Sequence, residues 1–373
     1  MNGQSFNDTK PVIAILTMPA DSAKGFRGNH ANFVDIVRTG KELDYPIYVV
    51  TVRDLKLNSP TVKGYTLSSN NEDWEVHNFP PPQVIYNRIP LREDEAKPWV
   101  QRKINSYLTH PNTHFYNPHF FNKWDLFEWL RISNSTDYLV PMTKRLVNEL
   151  SLSKILDKHP YVYLKPESGK AGKGIMMLKF QKDKSLPYRL KIQNDRSSIT
   201  YKSPSLRRLW IRLKKEIGTS PYIVQQGIQL ATVDNRPFDL RIMVQKTGKG
   251  QWGVTGVGAR MAGLKSITTH VPRGGSIERP TRLISALFGS DMSSFIMNQI
   301  KTTALIIARQ IERASGNKLG EMSMDLGLDQ FGKIWFFEAN ARPMKFDEPH
   351  IRKRSLERIF EYSQYLAQHN KYN

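Results

Sequence analysis

Two apolar runs, Pro11-Val12-Ile13-Ala14-Ile15-Leu16 and Ile47-Tyr48-Val49-Val50-Thr51-Val52, flank a helical pattern at residues 30–43. Phe33, Ile36, Val37 and Leu43 fall on one side of that helix, and Asn29 stands where a side chain caps its first N–H groups. A strand, a helix and a strand at this spacing pair in parallel, because the crossover is too long for a hairpin. An α/β domain with a parallel sheet follows. Val84-Ile85-Tyr86 supplies a further strand. Ligands of such sheets gather at the carboxyl ends of strands, where the loop 24–29 and the pair Asn87 and Arg88 lie. Arg88 suits a structural role equally well. No Gly-x-Gly-x-x-Gly follows the first strand, which argues against a dinucleotide domain.

A second constraint lies near the end of the chain. Residues 324–328 and 334–340 read as two strands joined by Asp329-Gln330-Phe331-Gly332. Period-two alternation puts Glu338 and Asn340 on one face, and a suitable register brings Asp325 to it. Two carboxylates and an amide oxygen, with no His or Cys, suit Mg²⁺. Arg342 continues the alternation and could meet a phosphate. An ordinary hairpin with polar residues in solvent is the plain alternative.

Upstream, Tyr161-Val162-Tyr163-Leu164-Lys165-Pro166 reads as a strand carrying one lysine, and Ile175-Met176-Met177-Leu178 resumes a strand. Between them lies Glu167-Ser168-Gly169-Lys170-Ala171-Gly172-Lys173-Gly174. Glycines let such a loop fold its N–H groups over an anion, with Lys165 as a fixed cation beneath. It is not a Walker A loop, since a strand follows it and Ile175 stands where Lys would.

In order and spacing, the segment from Lys123 to Pro343 resembles the ATP-grasp superfamily. Gly25-Phe26-Arg27-Gly28-Asn29, Val84-Ile85-Tyr86-Asn87-Arg88-Ile89-Pro90 and Asn117-Pro118-His119-Phe120-Phe121-Asn122-Lys123 extend the resemblance to nearly the whole chain, toward the YheC/YheD-like, spore-coat-associated branch. The resemblance implies an α/β fold of two ATP-grasp lobes behind an N-terminal parallel-sheet domain, divided as 1–117, 118–222 and 223–373. It implies ATP and Mg²⁺ as cofactors. Lys123 and Lys165 would bind the phosphates, and the loop with Ser168, Gly169, Gly172 and Gly174 would close over them. Gln225, Gln226 and the backbone through Ile228 would form the adenine hinge. Asp325, Glu338 and Asn340 would hold metal. Arg241 and Arg260 match arginines of the ribosomal-protein glutamate ligase branch and would stabilise the phosphate or acylphosphate. One departure is His270, which precedes Val271-Pro272-Arg273-Gly274-Gly275 where that branch has Asn before Arg-Gly-Gly. The implied activity is carboxylate–amine ligation. A kinase acting on a hydroxyl, and a coat assembly protein without turnover, are the alternatives.

Charge is uneven in the 373 residues. Residues 1–150 carry 17 Lys and Arg against 16 Asp and Glu, and residues 151–373 carry 38 against 18. The densest stretch, 181–220, has 11 against 3, in a mixed segment whose elements the pattern leaves unassigned. A small-molecule or peptide-like anionic substrate would suit this charge, and the resemblance adds spore coat components as partners. Nucleic acid is not expected, for no binding motif accompanies the charge. No apolar run is long enough to cross a bilayer, and residues 1–10 lack the apolar core of a signal peptide. With no cysteine there is no disulfide. A cytoplasmic or spore-associated location in a spore-forming bacterium is the expectation. Helices are also expected at 123–130, around 144–155, at 292–315 and at 350–369.

Overall fold

The computed structural model describes residues 10–21, 25–70, 73–168, 173–193, 198–263 and 275–369. It is built on three six-stranded sheets. The first follows from β1 (Ile13–Thr17), α1 (His30–Glu42), β2 (Ile47–Thr51), β3 (Val62–Leu67), β4 (Trp74–Phe79), β5 (Val84–Asn87), α2 (Arg92–Glu95), α3 (Pro98–Leu108) and β6 (His114–Tyr116). Its order is β4-β3-β2-β1-β5-β6. The pairs β1–β2, β1–β5 and β5–β6 are parallel, as the crossover requires. Asn29 caps α1 by accepting from the Asn32 N–H. The apolar side of α1 buries Phe33, Ile36 and Val37, each stabilising by about 1.5–3 kcal/mol. The β3–β4 hairpin, absent from the sequence reading, extends the parallel core antiparallel.

Helix α4 (Lys123–Arg131) comes next. Its residues Leu126, Phe127 and Leu130 join Phe238, Leu240 and Phe336 in the core of the third sheet. Helix α4 thus packs on the third sheet, although the expected division places residues 118–222 together. The small lobe comprises β7 (Thr143–Arg145), α5 (Glu149–Lys158), β8 (Tyr161–Pro166), β9 (Met176–Phe180), β10 (Tyr188–Gln193), β11 (Ser198–Ser203), α6 (Leu206–Ile217) and β12 (Tyr222–Gln226). The helix expected around 144–155 starts later, because residues 143–145 pair with β12 and a capping box between Asn148 and Ser151 sets the start of α5. The charged segment 181–220 resolves into the β10–β11 hairpin and α6, whose Leu206, Leu209 and Leu213 pack on the sheet with Leu152 and Leu156 of α5.

The large lobe holds β13 (Thr232–Val233), β14 (Arg236–Lys246), β15 (Trp252–Met261), β16 (Ser276–Glu278), α7 (Pro280–Phe288), α8 (Ser290–Ser315), β17 (Glu321–Leu328), β18 (Ile334–Asn340) and α9 (Pro349–Gln368). The long helix α8 buries Ile300, Ile307 and Ile311 against this sheet. The last helix, α9, crosses back to the N-terminal domain, where Ile359, Phe360 and Tyr362 join the core of Phe33 and Val49.

A buried polar seam completes that union. The Asn117 side chain accepts from the Gly320 N–H at 2.8 Å and donates to the Glu321 carbonyl at 2.8 Å. Arg88 pairs with Glu321 at 3.0 Å, and both are buried. Gln245 also donates to Glu321 and Tyr86 donates to it at 2.5 Å. Burial raises the Glu321 pKa, and Arg88 opposes the shift. Removing one member of such a pair leaves an uncompensated buried charge. Glu321→Ala should therefore lower unfolding free energy by about 3–5 kcal/mol, read as a lower urea midpoint. An unchanged midpoint would deny the seam its structural role.

Candidate functional site

The site grows from register. In the third sheet Arg241 pairs with Asp325, and Asp325 pairs with Glu338, so three charged residues line up across β14, β17 and β18. Ser323 pairs with Asn340 one step along the same face. A second row sets Asp239 of β14 opposite Arg260 of β15. Between Asp325 and Leu326 the pairing slips by one residue and leaves Phe337 as an extra residue in β18. That slip lets Phe336 enter the core while Glu338 and Asn340, along the same strand, stay half-buried on the site face.

The small lobe brings its cation to this face. Lys165 Nζ donates to Gln225 Oε1 at 2.6 Å, and Gln225 Nε2 donates to Thr143 Oγ1 at 3.0 Å. Lys165 also lies 5.7 Å from the centre of the Phe337 ring, across the two lobes. Burial lowers its pKa to about 8, with Glu338, Asp325 and Asp239 opposing the shift and Lys123 adding to it. Lys123, at the first turn of α4, meets Glu338 Oε1 at 2.5 Å. Its side chain is only 9% exposed, so it is no helix-start lysine in water. Asn122 caps α4 and so fixes where Lys123 starts. Lys123, Lys165, Asp325 and Glu338 therefore come together.

Arg241 is buried beside Phe346, with its Nη2 3.4 Å from Ser323 Oγ and its Nε without a partner among the described residues. The Arg260 pKa is lowered by burial and by Arg241, against Asp325, Asp239 and Asp347. Asp325 Oδ1 is buried and likewise lacks a hydrogen-bond partner among the described residues. An unpartnered buried carboxylate oxygen beside Glu338 and near Asn340 fits a hard divalent cation such as Mg²⁺. No group of three or more His, Cys, Asp and Glu with metal-site geometry occurs among the described residues.

Other expected residues fall out differently. Gln225 turns its side chain to Lys165, and Gln226 Oε1 accepts from the Met142 N–H at 3.2 Å. Both side chains are thus engaged within the lobe itself. Gly174 has φ +74°, and Tyr222 hydroxyl donates to its carbonyl at 3.1 Å, which ties down the end of the loop. Ser168 is exposed. Gly169, Gly172 and Lys170 lie outside the described residues, as do His270 and Arg273. Arg342 does not reach the site. It donates to the Ile89 carbonyl at 2.9 Å and to Glu95, and burial lowers its pKa to about 10. It is a buried tie to the N-terminal domain, which corrects the phosphate role read from alternation. Sequence reading missed Asp239, although its two-residue offset from Arg241 on one strand was visible.

Residues 112–366 match the family model described as YheC/D like ATP-grasp. The chain is 26% identical over 367 residues to endospore coat-associated protein YheD of Bacillus subtilis (strain 168), covering 96% of this chain and 79% of that protein. Among solved structures, VanG D-Ala:D-Ser ligase from Enterococcus faecalis aligns with a TM-score of 0.54 at 11% identity, over 95% of this chain and 100% of that one. D-alanyl-alanine synthetase A from Vibrio cholerae O1 biovar eltor str. N16961 aligns with a TM-score of 0.51 at 13% identity, over 96% and 97%. These two likenesses show the fold: two ATP-grasp lobes behind an N-terminal domain.

The lowered pKa of Lys165 has a testable sign. The unfolded lysine holds its proton up to about 10.4, whereas the folded one releases it near 8. Between these values the unfolded chain binds more protons, so stability relative to Lys165→Met should rise as pH climbs from 8. Urea melts of both proteins across that window would check it. A flat difference would place Lys165 in water.

Proposed function

The chain belongs to the YheC/D-like ATP-grasp family, and from that membership we propose that it is an ATP- and Mg²⁺-dependent ligase joining a carboxylate to an amine through an acylphosphate. One observation carries the reading. Lys123 and Lys165 come from separate parts of the chain and meet the carboxylate pair Asp325 and Glu338 at one place.

In this reading Lys123 and Lys165 hold the nucleotide phosphates, with the loop around Ser168, Gly169, Gly172 and Gly174 closing over them. Gln225, by accepting from Lys165 Nζ, fixes where that ammonium points. The backbone from Gln226 to Ile228 reads the base. Asp325, Glu338 and Asn340 would hold Mg²⁺, which when bound would supply positive charge against the phosphates. Arg241 and Arg260 face negative charge as it develops on the transferring phosphoryl group and then on the acylphosphate. Fixed cations in a partly dehydrated cleft act most strongly there, since water no longer screens them. Phe337, beside Lys165, keeps water from that corner. The substrate is a small molecule or peptide-like anion. Resemblance to an endospore coat-associated protein across most of the chain supports a spore-associated location and coat components as partners. No helix among the described residues is long and apolar enough to cross a membrane.

Loss of one charge-assisted hydrogen bond removes about 1.5–3 kcal/mol. Lys165→Met should therefore bind MgATP roughly ten- to a hundredfold more weakly by calorimetry. Wild-type affinity should also fall as pH rises past 8, because the neutral amine attracts phosphate less. Glu338→Gln should stay folded and lose nearly all ADP release when the protein is incubated with MgATP and pooled metabolites or spore-wall fragments. New masses one water lighter than the sum of two components would identify the amide, and a phosphorylated product would favour a kinase. Full turnover in Glu338→Gln would remove that residue from the site.

A further inference from the structure

The small lobe carries far more positive charge than a nucleotide site uses. Residues 143–226 hold 19 Lys and Arg against 6 Asp and Glu. Two of those acids are already matched, Glu167 by Arg145 and Glu216 by Arg212. Much of the surplus gathers on α6, where Arg207, Arg208, Lys214 and Lys215 are all exposed. Helical spacing sets Arg208, Arg212 and Lys215 in one stripe. Arg212 lies 4.5 Å over the ring of Tyr201, so this stripe runs beside β11.

Strand β11 is the edge of its sheet, hydrogen-bonded along one side to β10 from Ser198 to Ser203. Among the described residues no strand pairs with its other side. Ile199, Thr200 and Lys202 are exposed along it. An edge of this kind presents unpaired N–H and C=O groups that an extended peptide can meet.

We propose that this corner of the small lobe is a docking surface for an extended acidic peptide, which adds to β11 as a further strand and sets its carboxylates against the cations of α6. Charge selects the partner, since a chain of net charge +21 repels a second copy of itself. A lipid surface fits less well. The apolar residues Leu206, Leu209 and Leu213 are packed inside the lobe, and on the exposed face of α6 only Ile211 is apolar. Single-stranded nucleic acid needs open aromatic faces. Here the Tyr201 ring is covered by Arg212 and the Trp210 ring has Lys214 at 5.9 Å. The surface is separate from the nucleotide cleft: β11 and the strand of Lys165 are three strand spacings apart, about 14 Å.

The test uses the full chain and a fluorescent peptide alternating Glu and Thr, followed by anisotropy at two salt concentrations. Binding should weaken with salt. It should fall at least about tenfold for the combined variant Arg207→Glu, Arg208→Glu, Lys215→Glu, and by a similar factor when alternate peptide amides are N-methylated. The melting temperature and MgATP affinity of the variant should match the parent, and Arg208→Gln supplies a milder change should the triple variant misfold. The proposal is overturned if the peptide fails to bind at low salt, or if either change leaves its affinity intact. It is overturned too if phosphatidylglycerol vesicles or a single-stranded oligonucleotide bind these residues more tightly than the peptide.

Discussion

The antiparallel pairing of β17 with its two neighbours is the constraint on which the rest of the site depends. It holds Arg241, Asp325 and Glu338 in a line, and no side chain in that line can move to another face without the ladder breaking. The groups around it are then recruited by charge. Lys123 reaches Glu338 from the start of a helix, and Lys165 approaches from another sheet. Each cation lowers the cost of holding two carboxylates close together, and each carboxylate lowers the cost of burying the cations.

A different kind of order joins the N-terminal domain to this lobe. Asn117 acts as a piece of backbone, accepting from one strand's N–H groups and donating to its carbonyl. Arg88 and Glu321 neutralise each other in the same seam, while Arg342 reaches Glu95 and the Ile89 carbonyl. These residues stand far apart in sequence. Such a seam fixes geometry more than it adds stability, because desolvation offsets much of the attraction between buried ions.

Local pattern is what made much of this legible in the sequence. The β1-α1-β2 unit, the hairpin of Asp325 and Glu338, and the strand of Lys165 each announce themselves through local apolar periodicity and turn residues. The β10–β11 hairpin stayed hidden because charge interrupts its apolar pattern, whereas α6 does show helical spacing in Leu206, Leu209 and Leu213. Arg342 was misread for a related reason: alternation gives a face but not the depth to which a long side chain reaches. The placement of α4 was likewise invisible, since Phe127 meets Phe336 across a long separation in sequence. Asp239 is a different case, for its offset from Arg241 was available and passed unused.

The extra residue at Phe337 has a further consequence. Before it, Ile334 and Phe336 look inward; after it, the inward positions become Ala339 and Ala341. The strand thus changes parity midway, even residues serving the core on one side of the slip and odd residues on the other. Side-chain swaps leave that phase alone, and removing Phe337 itself would restore plain alternation with the acid and the amide still toward the cleft, whereas closing the slip with every residue kept would turn them toward oil. The faces of this strand therefore depend on one unpaired position and not on which side chain occupies it.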